Sequence, residues 1–294
     1  MTILSAVLSR RALPLLVLGC LLVAMGFVAT RPLLTQAEGT VAVFQIRSFA
    51  PITVPAGAVG AHPPTGLSST ASGKPASNEP PSASAPHQIA SVAAVQSAVG
   101  FAPILPQTGA IGMPSVIYVA GPRSQKHTFT AAEVDKALTQ AHLQAPQVAA
   151  LLDGTIATLD LPAAAAFGWG DAKKPALVLV ELPSPSLTLV GTSAATLRQA
   201  LFAANGLSAP SEQVAQQLLS ISDWQHTLPV PIPPGAESSS VQLSSKIQGL
   251  SISGIRDGHP VSGLLWESKN LVFGLAQQGT TYDLASLARS ILAQ

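Results

Sequence analysis

Val261–Ala276 reads VSGLLWESKNLVFGLA. Two apolar runs, Val261–Glu267 and Leu271–Ala276, flank Ser268-Lys269-Asn270, and a connection of that length and composition suits an antiparallel hairpin. The chain then closes with Tyr282–Leu292, where Leu284, Leu287, Ala288 and Ile291 recur at helical spacing on one side. Upstream, Ser240–Ser244 and Leu250–Ile255 have strand composition. Strands joined by tight turns, with helices grouped apart from them, predict an α+β domain on a mainly antiparallel sheet with helices packed on one face.

Working back from the hairpin, Ala176–Leu182 (ALVLVEL) is a nearly continuous apolar run followed closely by the strand candidate Ser186–Val190. Thr155–Leu161 alternates with period two, and Ser115–Ala120 (SVIYVA) has strand composition. Thr130–Leu143 starts with Thr130 and Glu133 at capping-box spacing and carries Val134, Ala137, Leu138 and Ala141 on one face. Two further helices are expected, Thr196–Asn205 and Ser211–Ser222. The connector TLPVPIPPG after them cannot donate a regular ladder and is expected to run along an edge.

This domain, residues 92–294, is long enough to bury a core without disulfide staples. Before it, residues 31–91 read as a linker. Residues 38–47 have a short extended character, and from Ser48 to about Gln88 eight prolines mix with Ser, Gly and Ala, too few large apolar groups to offset backbone ordering. The expected role is a spacer between membrane and domain.

Ala12–Thr30 (ALPLLVLGCLLVAMGFVAT) carries no charge and follows Arg10-Arg11. As a helix its nineteen residues would extend roughly 28 Å, close to the hydrocarbon thickness of a bilayer. The run is longer than a cleaved signal's apolar core, so a transmembrane signal-anchor is expected. Arg10, Arg11 and the N-terminal amine precede it, against Arg31 after it. The charge bias places residues 1–11 in the cytoplasm and the rest outside. Cys20, the lone cysteine, follows Val17-Leu18-Gly19 and loosely resembles a lipoprotein box. Leu21–Met25 continue the apolar run where a lipoprotein turns polar, so a thiol packed in a span is the plainer interpretation.

Only 10% of the 294 residues are charged and the net charge is +1, which supplies no basic footprint for nucleic acid. Catalytic signatures are missing. Asp153-Gly154-Thr155 lacks the nucleophile of a phosphate-transferring loop, because Leu151 stands in its place. Gly191–Ala195 lacks the final glycine of a nucleophile elbow. No two of the six histidines fall at i, i+3 or i, i+4, so no cofactor or metal is expected. The best hydrolase set the chain offers is Ser193, His226 and Asp223. Trp266 is expected inside with Glu267 facing water, and Trp169, between glycines, to anchor a packed loop or else face a partner.

Gly263–Leu275 with its closing helix Leu287-Ala288-Arg289-Ser290-Ile291, Gly100–Pro106 (GFAPILP) and Asp223–Pro231 (DWQHTLPVP) together resemble an uncharacterised bacterial extracytoplasmic domain. That domain is associated with anti-sigma-factor-like membrane proteins and is similar to the periplasmic lipoprotein-carrier and sigma-regulator superfamily. The resemblance covers about residues 95–294. It implies a curved antiparallel sheet lined by helices, able to hold an acyl chain. Anti-sigma proteins need a cytoplasmic sigma-binding domain, and Met1–Arg11 are too few to supply one. The expected function is therefore a non-enzymatic, membrane-anchored envelope module that binds a lipid or a regulatory protein. An envelope hydrolase and a purely structural envelope domain are the alternatives.

Overall fold

The computed structural model describes residues 41–53, 86–107, 109, 111–140, 146–192, 216–217, 220–223, 226–256, 258–279 and 282–294. In chain order the elements are β1 (Val41–Gln45), β2 (Ser48–Thr53), β3 (His87–Gln88), α1 (Ala93–Val99), β4 (Val116–Ala120), β5 (Arg123–Thr128), α2 (Ala131–Gln140), α3 (Pro146–Leu152), β6 (Ile156–Leu161), β7 (Ala164–Asp171), β8 (Lys174–Pro183) and β9 (Ser186–Val190). They continue with β10 (Thr227–Ile232), β11 (Glu237–Gln242), β12 (Gln248–Arg256), β13 (His259–Ser268), β14 (Leu271–Gln278) and α4 (Leu284–Leu292). The expected segment Ala12–Thr30 and the expected helices Thr196–Asn205 and Ser211–Ser222 fall wholly or largely outside the described residues. No helix among the described residues is long and apolar enough to cross a membrane.

The protein is α+β, with antiparallel pairing throughout its two larger sheets. An eight-stranded sheet runs β11-β12-β13-β14-β8-β7-β4-β3, a four-stranded sheet runs β1-β9-β6-β5, and β10 pairs parallel with β2. The hairpin that anchors the large sheet is tighter than its composition suggested. Ser268 pairs with Leu271, so the turn is Lys269-Asn270, both at positive φ (53° and 63°), as in the turn type whose twist matches a hairpin. Glu267 Oε1 accepts the Asn270 N–H at 2.8 Å and holds the turn.

Three strands of the large sheet continue directly into the smaller one. β4 passes to β5 through Gly121-Pro122, β6 to β7 through Pro162-Ala163, and β8 to β9 through Ser184-Pro185. The neighbour order β8-β7-β4 reappears as β9-β6-β5. Each crossing has a proline, which removes a ladder donor, so hydrogen bonding breaks at the same level in all three strands and the sheets part there.

One face of the large sheet holds the main core. Phe167, Leu177, Leu179, Leu264, Trp266, Phe273 and Leu275 are covered by α1 and by the buried stripe of α4, Leu284, Leu287, Ala288 and Ile291. Asp283 starts α4, its carboxylate accepting the N–H groups of Ala285 (3.0 Å) and Ser286 (3.2 Å). The helix pair α2 and α3 sits between β5 and β6 and buries Val134, Val148 and Leu152. Thr130 caps α2 by accepting the Glu133 N–H at 3.3 Å. The Glu133 carboxylate leaves the expected capping box and meets His127 Nε2 at 3.1 Å.

β7 explains one glycine. A Cβ on Gly168 would lie 2.7 Å from Val116 Cγ1 and 3.0 Å from the Pro175 ring, so β4 and β8 close over it. Gly168→Ala is expected to cost about 1–3 kcal/mol by overpacking, seen as a lower midpoint in denaturant titration. An unchanged midpoint would show that Val116 and Pro175 yield freely.

The stretch expected to be a linker is corrected at both ends. β1 pairs with β9 from Val41↔Val190 to Gln45↔Ser186, and β2 pairs with β10 from Ser48↔Thr227 to Thr53↔Ile232. β2 also packs on β12 and β13, burying Ile52. The physical reason is parity. Pro229 and Pro231 in β10, and Pro51 in β2, sit at alternate positions, so each strand spends its prolines on the side away from its partner. Ser48 N–H accordingly reaches the His226 carbonyl at 2.9 Å, while Thr53 turns its amide outward to the Gln217 side chain at 2.8 Å. The proline-rich residues 54–85 therefore join two strands of one body. They do not separate the domain from residues 12–30.

Candidate functional site

β8 is apolar on both faces, and its two-residue period puts Glu181 on the same face as Leu177 and Leu179, in the main core. Across the ladder, Glu181 lies beside Phe273 of β14 and Ala165 of β7. Phe273 in turn stacks on Trp266, with ring centroids 5.1 Å apart and planes 5° from parallel. Glu181 is 0% exposed.

Residues 101–107 close the site from above. Gly100 ends α1 in the left-handed conformation (φ 81°), which turns the chain, and Phe101, Ile104 and Leu105 pack on the core. The Ile104 N–H donates to both carboxyl oxygens of Glu181, at 3.2 and 3.1 Å. Burial pushes this carboxyl up from 4.5 to about 8, and the Ile104 N–H only partly offsets that. Near neutral pH the group therefore stands mostly as the uncharged acid. Trp266 Nε1, in the same row of the sheet, is buried with no hydrogen-bond partner among the described residues. Sealed on all sides, Glu181 touches no substrate-sized space. It can hold and release a proton but cannot meet a reactant while residues 101–107 stay in place.

The other residues singled out by sequence fall as follows. Asp223 and His226 do come together, with Nδ1 2.9 Å from Oδ1, at side-chain exposures of 61% and 31%. Ser193 lies outside the described residues. The His226 backbone carbonyl also serves structure, accepting the N–H groups of Arg47 and Ser48. Asp153 Oδ1 accepts the Ala131 N–H at 2.9 Å at the start of α2. Trp169 is buried in β7 rather than held in a loop, and its Nε1 donates to the Gly112 carbonyl at 3.0 Å. Trp266 is inside, as the alternation indicated, whereas Glu267 is half-buried at the turn instead of simply facing water. Among the described residues no group of three His, Cys, Asp or Glu side chains is placed to hold a metal ion. An open recess of about 250 Å³ lies between Lys174, Ala176, His259, Pro260, Gln278 and Gly279.

Sequence reasoning did not single out Glu181. The available signal was its parity with Leu177 and Leu179 in a strand apolar on both faces.

Fold and site together define an α+β protein on antiparallel sheets with a sealed acidic group in its core. No protein-family model matches the chain, and neither the curated proteins nor the solved structures contain a match.

Proposed function

We propose that this chain is a membrane-anchored, extracytoplasmic binding module of the bacterial envelope, non-catalytic and held near the bilayer by Ala12–Thr30. The observation that carries this is how close in sequence the first described strand lies to Ala12–Thr30. β1 begins at Val41, with ten residues between it and Thr30, and is built into the four-stranded sheet. Ten extended residues span at most about 36 Å. A body tethered that closely meets partners at or near the membrane surface.

The resemblance to extracytoplasmic sigma-regulator domains supports the same function, and its residues have structural roles. Trp266 and Phe273 form the core stack, Leu287 and Ala288 the buried stripe of α4, and Gly100 the turn after α1. Between an acyl chain and an envelope regulatory protein, the second is favoured. The apolar face that would hold an acyl chain is filled by the protein's own α1, α4 and residues 101–107.

A C-terminal alkaline phosphatase fusion is expected to be active and to sediment with membranes. Activity confined to a cytoplasmic reporter would overturn the topology. Crosslinking in intact envelopes is expected to trap a membrane-resident protein, whereas acyl chains in mass spectra of the purified protein would favour the lipid ligand.

A further inference from the structure

We propose that Glu181 and the backbone amide of Ile104 form a latch, closed while the carboxyl carries its proton and released when that proton passes to solvent, which controls exposure of the apolar face beneath residues 101–107. A buried carboxyl with one neutral donor is tolerable as an acid and costly as an anion. The anion is relieved by water, and water can arrive from only a few directions.

On either side of Glu181, β7 and β14 are locked in continuous ladders. The covering segment is held far more lightly. Pro103 and Pro106 have no N–H to give, and among the described residues the polar ties are the Ile104 N–H to Glu181 and the Leu105 carbonyl, which accepts from Gln294 Nε2 at 2.7 Å. Segments with few backbone hydrogen bonds open at the lowest free energy. Ionisation of Glu181 therefore lifts the cover before it disrupts the sheet, and lifting it uncovers Phe101, Ile104 and Leu105 together with the core they pack on.

Among the described residues no neighbouring charge competes for control. Residues 101–107 and α1 contain no ionisable side chain, and the stretches of β7, β13 and β14 beside Glu181 present Ala165, Phe167, Leu264, Trp266, Phe273 and Leu275. The charged side chain of α4 is Arg289, which donates to the Gln242 carbonyl, with Asp283 at the helix start. His87 sits at the far end of the same sheet row and is exposed.

Because the open form releases the proton near the ordinary carboxyl range and the closed form near 8, the opening constant rises about tenfold per pH unit between them. The test is hydrogen exchange by mass spectrometry on the full-length chain in detergent from pH 6 to 9, with protection corrected for intrinsic exchange. Peptides covering residues 100–107 are expected to lose protection about tenfold per pH unit up to about pH 8, while staying less protected than β13 and β14 throughout. In Glu181→Gln, which keeps an acceptor for Ile104 but cannot ionise, their protection is expected to be independent of pH. Gln294→Ala removes the second tie and is expected to lower protection at every pH without changing the slope. The latch is overturned if wild-type protection over 100–107 does not vary with pH. It is equally overturned if that protection equals that of β13 and β14, since the segment would then open only by global unfolding. The wild-type series decides the matter even if Glu181→Gln does not fold.

Discussion

Thermal unfolding from pH 5 to 9 is expected to show stability falling as pH rises, and Glu181→Gln is expected to abolish most of that fall. The folded protein keeps the Glu181 proton up to about pH 8, whereas the unfolded chain releases it near 4.5. Between these values the folded state binds more protons, so the slope of stability against pH is negative. The stabilisation is complete below pH 4.5, is lost progressively as pH rises, and stops changing once the folded-state value is passed. At 1.36 kcal/mol per unit the full loss is about 3–5 kcal/mol, a large share of the roughly 5–15 kcal/mol typical of a domain. Glutamine retains a carbonyl for the Ile104 N–H and has no charge to bury. The variant should match wild type near pH 5 and exceed it at pH 8–9 by about 5–15 °C in Tm. Asp283 does not confuse the comparison. Hydrogen bonds from the Ser286 hydroxyl and backbone hold its carboxyl below its ordinary 3.8, so its contribution is lost only at more acidic pH. Parallel pH profiles for the two proteins would show that Glu181 is solvated in the folded state.

The elements legible from local sequence are those whose partners lie close by. The β13–β14 hairpin and the buried stripe of α4, which packs on it, each carry their own pattern. β7 does not. Ala164, Ala166, Gly168 and Gly170 face one way, and Ala165, Phe167 and Trp169 the other, so neither face is polar and the apolar–polar alternation that marks a strand is missing. β5 (RSQKHT) is a polar edge strand, made a strand by β6 alone. β1 and β2 were obscured because their partners, β9 and β10, lie more than a hundred residues away and because prolines at alternate positions look like strand breakers. Glu181 was obscured by the rule that carboxylates face water. That rule yields here because the strand is covered on both faces and an amide stands opposite the acid.

A version of this protein starting at residue 92 is expected not to fold, although that residue is where ordinary globular composition resumes. The cut removes β1, β2 and β3. β10 loses its strand partner, β9 loses a neighbour, and Ile232, 1% exposed in the whole protein, loses the Ile52 strand beside it. Removing Ile52 and uncovering Ile232 costs about 1.5–3 kcal/mol for each side chain, before the lost parallel ladder and the packing of β2 on β12 and β13 are counted. Against the stability of an ordinary domain that is enough to leave the fragment without a cooperative transition. The complementary change should be nearly silent. Halving the connection 54–85 while keeping residues 41–53 shortens the chain between β2 and β3 and lowers its closure cost by about 0.6 kcal/mol. Circular dichroism melts are thus expected to be absent for 92–294 and close to wild type for the shortened connection. If instead 92–294 melts cooperatively at the wild-type temperature, β1 and β2 are accessories and the tether to the membrane reverts to the full length of residues 31–91.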